Sequence, residues 1–393
     1  MALVLMVVHG TDGDVLPFVA VGRQLLARGH DVTILTHAYY QSAVRAAGVQ
    51  FVAVDTLAQY EAHLADAAVQ QHSQDISDFR EHFDRTGLAD QLRFECAELI
   101  RRHRPGATVL VGAPLTAQSV LIAGEVTGAP VVCLAQSPFQ LMKLPGVAWL
   151  YDQVLADRID AARAVHDLGP VRDWTAWMWS ADAYVGLWPE WFDRAGDPAP
   201  PGTLLTGFVL GDDDQPVRLP PQAEKLLRAD TPPLLVTGGT GRLLQPDFYR
   251  SATRALAQLR HPALLVVRHR DLVPEVLPPG THWFAHLPFR ALVSRVAAVV
   301  HHGGIGTVAR ALAARTPQVL LADGMDRPDN AARLAASGLG RALAHGRWTP
   351  TAVAEEVRAA LERPPAPQPP PAGDGAVRAA EAVETVLTGS LTR

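Results

Sequence analysis

Residues 3–36 read LVLMVVHGTDGDVLPFVAVGRQLLARGHDVTILT, and this stretch sets the fold class. The run Leu3–Val8 is apolar throughout, as expected of a strand buried on both faces. It gives way to a glycine loop, Gly10–Asp14, then to a helix opened by Pro17 and closed by Gly29. Asp31–Thr36 returns to strand composition, which makes the segment a βαβ unit with two parallel strands.

The alternation runs on through Phe51–Val54, a polar helical stretch from Glu61 to Arg102, Thr108–Gly112, a helix over Ala117–Thr127 and the strand Pro130–Leu134. Between Asp193 and Pro221 the composition shifts to Pro, Gly and Asp, the signature of a linker. A second block then opens as the first did, with Leu234–Thr237, the loop Gly238–Gly241, a helix over Asp247–Leu259 and the strand Ala263–Arg268. Ala297–Val300, the loop His301–Thr307, the strand Gln318–Ala322 and a helix from Pro328 to Gly338 continue it. Pro364–Pro371 reads as an extended crossing segment and Ala376–Leu387 as a last amphipathic helix. The expected architecture is α/β, with two tandem Rossmann-like, doubly wound parallel-sheet domains facing a cleft. The expected divisions are an N-terminal domain over 1–206, a linker over 207–228, a C-terminal domain over 229–372 and a helix over 373–393 crossing back toward the first domain.

A chain of 393 residues is long enough for two domains, and 48% hydrophobic with 19% charged residues excludes wholesale disorder. The net charge of −5, without a polybasic run, lacks the footprint of a nucleic-acid or anionic-membrane binder, so small molecules are the expected partners. The early apolar run has no basic region before it, and Asp12 and Asp14 follow it closely; a cytoplasmic protein without stable membrane insertion is expected. Cys96 and Cys133 are too few for a disulfide framework, and no paired-cysteine or His-Glu-x-x-His spacing predicts a metal. Nothing in the sequence sets the oligomeric state, a homodimer included.

In open parallel sheets ligands bind at the carboxyl ends of the strands. The loop His9–Asp14 carries two carboxylates at a helix mouth and is poorly suited to hold pyrophosphate alone; it also lacks G-x-G-x-x-G spacing, which weakens a nicotinamide reading. The loop His301–Thr307 has no carboxylate, three glycines, a hydroxyl and two imidazoles at the start of an Ala-rich helix, the composition of an anion cradle. A carboxylate in one domain and a cradle in the other suit transfer from a diphosphate-activated donor.

The segment HGGIGT at 302–307, within AAVVHHGGIGTVARALAARTPQVLLADGMDRPDNAARLAASGLG, resembles the donor-binding signature of the UDP-glycosyltransferase-like superfamily, of GT-B fold. GTDGDVLPFVAVGRQLLARGHDVTILT looks like the acceptor-side loop of its sterol and natural-product members, and TGFVLGD and LLVTGGTGR extend the likeness across both halves. The resemblance implies a glycosyltransferase, inverting and metal-independent, that carries a sugar from a dTDP- or UDP-linked donor to a hydroxyl of a natural-product acceptor, with no cofactor beyond the nucleotide sugar. It implies Asp14 as the base that deprotonates the acceptor. His302 would contact the donor diphosphate, helped by Gly304, Gly306 and Thr307, while Gly239 and Thr240 would complete the phosphate pocket. His286 falls where relatives have an aromatic on the nucleobase, and Asp326 matches the acid that holds the sugar hydroxyls. Arg327 and Arg310 stand where relatives have Gln. A guanidinium at the sugar position would pair with a carboxylate on an unusual sugar or form a structural ion pair.

Plainer readings compete at each place. Asp14 is also a common helix-start residue, Asp12 reads as solvated, and His9 reads as a hydrogen-bonded packing residue. His301 reads as a neighbour of the cradle, since adjacent strand side chains face opposite ways. Trp174, Trp177, Trp179, Trp188 and Trp191 fit an apolar acceptor wall and core packing equally. His63, His72 and His82 fit a mobile acceptor loop, or more simply the surface. A non-catalytic GT-B partner that binds a nucleotide sugar and activates a true transferase is the alternative function, and a nucleotide-sugar epimerase a third.

Overall fold

The computed structural model describes residues 1–70, 75–211, 218–242, 247–362 and 374–389. His72, the acidic residues 212–214 and the segment Pro364–Pro371 lie outside them. Two compact units emerge, Met1–Pro189 with Ala199–Gly211 and Ala372–Arg393, and Glu190–Pro198 with Asp212–Pro371.

The first unit is built on a seven-stranded sheet: β1 (Leu3–Val7), β2 (Asp31–Thr36), β3 (Gln50–Ala53), β4 (Thr108–Gly112), β5 (Val131–Ala135), β6 (Ala183–Gly186) and β7 (Leu204–Leu205). Their order is β3-β2-β1-β4-β5-β6-β7, and every described pairing is parallel. Leu3 pairs with Asp31 on one side and Thr108 on the other, so β1 and β4 flank the point where the winding reverses. The polar stretch after β3 folds as three helices, Leu57–Gln70, Ile76–Arg85 and Leu88–Arg102. The first helix starts at Asp12, five residues before Pro17, because Thr11 and Asp14 form a capping box that satisfies its opening backbone donors.

The second unit has six parallel strands, β8 (Leu234–Thr237), β9 (Ala263–Val266), β10 (Thr281–Phe284), β11 (Val299–His301), β12 (Gln318–Ala322) and β13 (Arg341–Ala344). Their order, β10-β9-β8-β11-β12-β13, reverses between β8 and β11. Leu234 and Val236 enter one apolar cluster with the helices Asp247–Leu259 and Pro350–Glu362, while Leu235 enters another with Leu292 and Ala311. Both sheet faces are therefore covered, which is why these strands read as unbroken apolar runs. Each large aliphatic side chain so buried contributes about 1.5–3 kcal/mol.

Two segments sit away from their sequence neighbours. The helix Gly375–Leu387 packs on the first unit, where Ala379, Ala380 and Val383 join the core and Glu384 accepts from Arg28 at 2.6 Å. Glu190–Pro198 belongs to the second unit because the fully buried Arg333 donates to the carbonyls of Asp193 at 2.6 Å and Asp197 at 2.6 Å. Its remaining charge is met by Asp329 at 2.7 Å. Among the described residues no helix is long and apolar enough to cross a membrane.

Candidate active site

In the first unit the loop after β1 lies at the point of strand reversal, and its backbone is held from several sides. The Gly10 N–H donates to Nε2 of His37 at 3.1 Å, and the Gly10 carbonyl accepts from Tyr60 at 3.1 Å. His37 Nδ1 donates to Asp55 at 2.7 Å, so its two nitrogens are fixed as one donor and one acceptor. Burial and the neighbouring His9 hold this imidazole below its ordinary pKa against the pull of Asp55, so it stays neutral. Tyr40 donates to Asp12 at 3.1 Å, which corrects the reading of Asp12 as merely solvated.

Asp14 Oδ2 accepts from the Thr11 N–H at 2.8 Å and from its hydroxyl at 3.2 Å. The carboxylate folds back over Gly10, where a Cβ would stand 2.4 Å from Oδ2, and with φ at +121° only glycine is at ease there. The capping role and the expected base role thus meet in one side chain. A further contact fixes the backbone, Gln136 Nε2 donating to the Asp14 carbonyl at 3.2 Å.

His9, at the end of the same strand, is one half of a buried ion pair. Nε2 donates to Glu95 at 2.7 Å and Nδ1 donates to the Thr116 carbonyl at 3.0 Å, so both nitrogens face acceptors. Glu95, whose side chain is 2% exposed, also accepts from Gln91 at 2.8 Å and Ser119 at 2.7 Å. Burial alone would lower the His9 pKa, but the charge and hydrogen bond of Glu95 raise it overall. Burial would likewise raise Glu95, and His9 with three hydrogen bonds brings it down. The pair ties the loop after β1 to the helix Leu88–Arg102, and the bond from Nδ1 ties it to the loop after β4. With both ring nitrogens engaged, His9 positions the loop.

His63 and His82 are not at the surface, contrary to the simpler sequence expectation. His82 is buried and ion-paired with Asp66, while His63 is half-buried and pushed down to about 4 by burial and by its neighbours His37 and His82. His63 lines a cavity of about 190 Å³ with His37, Asp55, Gln59, Gln91 and Phe94. Of the tryptophans, Trp174, Trp177 and Trp188 are buried in packing, and Trp191 belongs to the second unit.

In the second unit the loops after β8 and β11 meet at the other point of strand reversal. His301 turns into the core, accepting from the Gly303 N–H at 3.2 Å and donating to Gln318 at 3.1 Å, with burial taking it down to about 4. His302 points the opposite way. A Cβ on Gly239 would stand 2.8 Å from its ring, and one on Gly304 2.4 Å from Nε2, so both glycines exist to let the imidazole lie flat between the loops. Its Nδ1 is buried without a hydrogen-bond partner among the described residues. Burial, then the charge of Arg327, holds His302 well below the usual imidazole range. The cradle therefore presents a neutral ring with one N–H to give.

Asp326 and Arg327 stand at the start of the helix after β12. Asn330, fully buried and not anticipated from sequence, donates to Asp326 at 2.8 Å and to the Gly303 carbonyl at 3.1 Å, tying that helix to the cradle. Thr240 contributes a carbonyl that accepts from His269 at 3.3 Å. Gly306 and Thr307 lie in the first turn of the helix Ile305–Ala313, and His286 is exposed after β10. Among the described residues no group of three or more His, Cys, Asp or Glu could hold a metal ion.

Comparison with known proteins matches residues 4–132 to the Glycosyltransferase family 28 N-terminal domain and residues 255–369 to the Erythromycin biosynthesis protein CIII-like, C-terminal domain. Glycosyltransferase GtfE of Amycolatopsis orientalis is 36% identical over 188 residues, 47% of this chain and 42% of that protein. O-mycaminosyltylonolide 6-deoxyallosyltransferase of Streptomyces fradiae is 28% identical over 90% of this chain and 89% of its own length. Among solved structures, the glycosyltransferase VinC in complex with dTDP superposes with a TM-score of 0.64 at 19% identity, covering 98% of this chain and 95% of that one.

Proposed function

Because the chain belongs to the natural-product glycosyltransferases of GT-B fold, we propose that it moves a sugar from a dTDP- or UDP-linked donor to a hydroxyl of a small natural-product acceptor. The acceptor oxygen attacks the anomeric carbon as Asp14 takes its proton. The bond from that carbon to the diphosphate oxygen breaks, and its electron pair leaves with the nucleoside diphosphate. One displacement on the face opposite the leaving group inverts the anomeric centre.

The observation that carries this reading is the neutral His302 ring seated between Gly239 and Gly304, its buried Nδ1 without a hydrogen-bond partner among the described residues, at the reversal point where such sheets bind ligands. Its N–H and the opening amides of the helix Ile305–Ala313 suit the departing phosphate oxygens. Thr240, Gly306 and Thr307 are proposed to finish the phosphate site, Asp326 to hold sugar hydroxyls and His286 to stack on the base. The dTDP held by VinC favours a thymidine donor.

The test is turnover with dTDP-glucose and UDP-glucose over an acceptor panel. His302→Ala should lower kcat by about 10²–10³-fold in whichever pair is active; unchanged kcat removes the imidazole from the reaction. Gly304→Ala, whose Cβ would displace the same ring, should weaken dTDP binding by roughly tenfold or more by titration calorimetry.

A further inference from the structure

The loop that carries Asp14 is aimed by groups from other elements. The Gly10 carbonyl and the Thr11 N–H belong to one trans peptide plane and point to opposite sides of it. Tyr60 donates to that carbonyl at 3.1 Å, and on the other side the Thr11 N–H donates to Asp14 Oδ2 at 2.8 Å. One peptide back, the Gly10 N–H donates to Nε2 of His37 at 3.1 Å. Both flanks of Gly10 are thereby pinned. Glycine by itself restrains φ and ψ little, so the restraint comes from these two side chains. A turn of that peptide would redirect the Thr11 N–H and release the Asp14 carboxylate.

His37 can hold the loop in one protonation state only. The ring is 2% exposed, and its Nδ1 donates to Asp55 Oδ2 at 2.7 Å. Asp55 is itself fixed by the Ala38 N–H, which donates to Oδ1 at 2.7 Å. Nε2 is then an acceptor while the ring is neutral, and a proton there would set N–H against N–H. The charged and titratable groups that face the ring are His9, Asp55, Tyr60, His63 and Glu95. Burial, with the charge of His9, outweighs Asp55 and Glu95 and holds the imidazole below its ordinary 6.5. Resting on the glycosyltransferase reading, we infer that His37, oriented by Asp55 and assisted by Tyr60, is a positioning residue that aims Asp14 at the acceptor hydroxyl through the backbone of Gly10, and that transfer slows when His37 takes a proton. A purely structural contact is the competing assignment. It changes stability without changing how the rate depends on pH.

The experiment follows sugar transfer from dTDP-glucose or UDP-glucose to the active acceptor in wild type, His37→Leu, His37→Gln, Asp55→Asn and Tyr60→Phe, with thermal melts and dTDP titration calorimetry alongside. His37→Leu should lower kcat by about 10–100-fold and leave dTDP binding at the wild-type value, because the donor loops belong to the second unit. Glutamine can accept the Gly10 N–H without titrating. His37→Gln should therefore recover most of the loss at neutral pH and carry the acid limb of kcat to lower pH than in wild type. Asp55→Asn removes a charge that raises the His37 pKa and should move the limb in the same direction. Tyr60→Phe should cost about three- to tenfold in kcat. A folded His37→Leu with wild-type kcat, or a His37→Gln whose acid limb has not moved, overturns the inference and leaves the transferase reading standing so long as Asp14→Asn is slow. Should leucine prevent folding, the glutamine limb alone decides. A wild-type protein that transfers sugar from neither donor overturns both.

Discussion

Asp14→Asn should lower kcat by at least about 10²-fold while leaving donor binding and thermal stability close to wild type. The reasoning turns on the two duties of this side chain. As the expected base it needs a carboxylate; as the third residue of the capping box it needs only an acceptor for the Thr11 N–H and hydroxyl. An asparagine oxygen supplies the second and cannot supply the first. Asp14→Ala removes both, and should add a loss of about 0.5–2 kcal/mol in stability to the loss of rate. Stopped-flow or endpoint product analysis, paired with thermal melts, separates the two. If Asp14→Asn turns over like wild type, Asp14 is a cap and nothing more.

The largest effect on stability is expected at Glu95. Glu95→Ala strands the His9 imidazole in the core and removes an acceptor used by Gln91 and Ser119, so a loss of about 3–5 kcal/mol is expected. The double variant His9→Leu with Glu95→Leu should cost clearly less than the two single losses added together, because neither charge is then left alone. The pH dependence follows from the directions of the two shifts. Glu95 titrates below its ordinary range, so its contribution is present above the unfolded carboxylate pKa and is lost as pH falls through the lower folded value. His9 titrates above its ordinary 6.5, so its contribution is present below that value and is lost as pH rises through the higher folded one. Denaturant melts of wild type should therefore show a plateau between the carboxylate and imidazole ranges whose acid and alkaline shoulders are missing in the double variant. An identical pH profile in the two proteins would show that the pair is not ionised in the fold.

Much of the frame was readable from residue order. The inner strands announce themselves because both of their faces are covered, which leaves runs such as Leu3–Val8 and Gln318–Ala322 almost wholly apolar. The edge and near-edge strands β6, β7, β10 and β13 carry no such signal, for the complementary reason. They are two to four residues long and include exposed or half-buried positions, as in Arg341–Ala344, so neither length nor alternation marks them. Local pattern puts the start of the first helix at Pro17, five residues late, because proline is a strong local signal, whereas the capping box that sets the true start depends on Thr11 and Asp14 closing on each other.

What the amino-acid order settled by itself is everything carried by short-range pattern: the strand and helix alternation, the pair of doubly wound blocks, the two glycine loops at strand ends, and the choice between His301 and His302 that follows from side chains alternating along a strand. What only the tertiary structure decided is everything that depends on which distant groups meet. His9 finds its counter-charge 86 positions away, Gly239 clears the space that the His302 ring fills, Asn330 links Asp326 to Gly303, and Arg333 draws Glu190–Pro198 into the second unit. Periodicity is a property of neighbours along the chain, whereas burial of a charge is tolerable only where a partner arrives through space; no local pattern encodes that arrival.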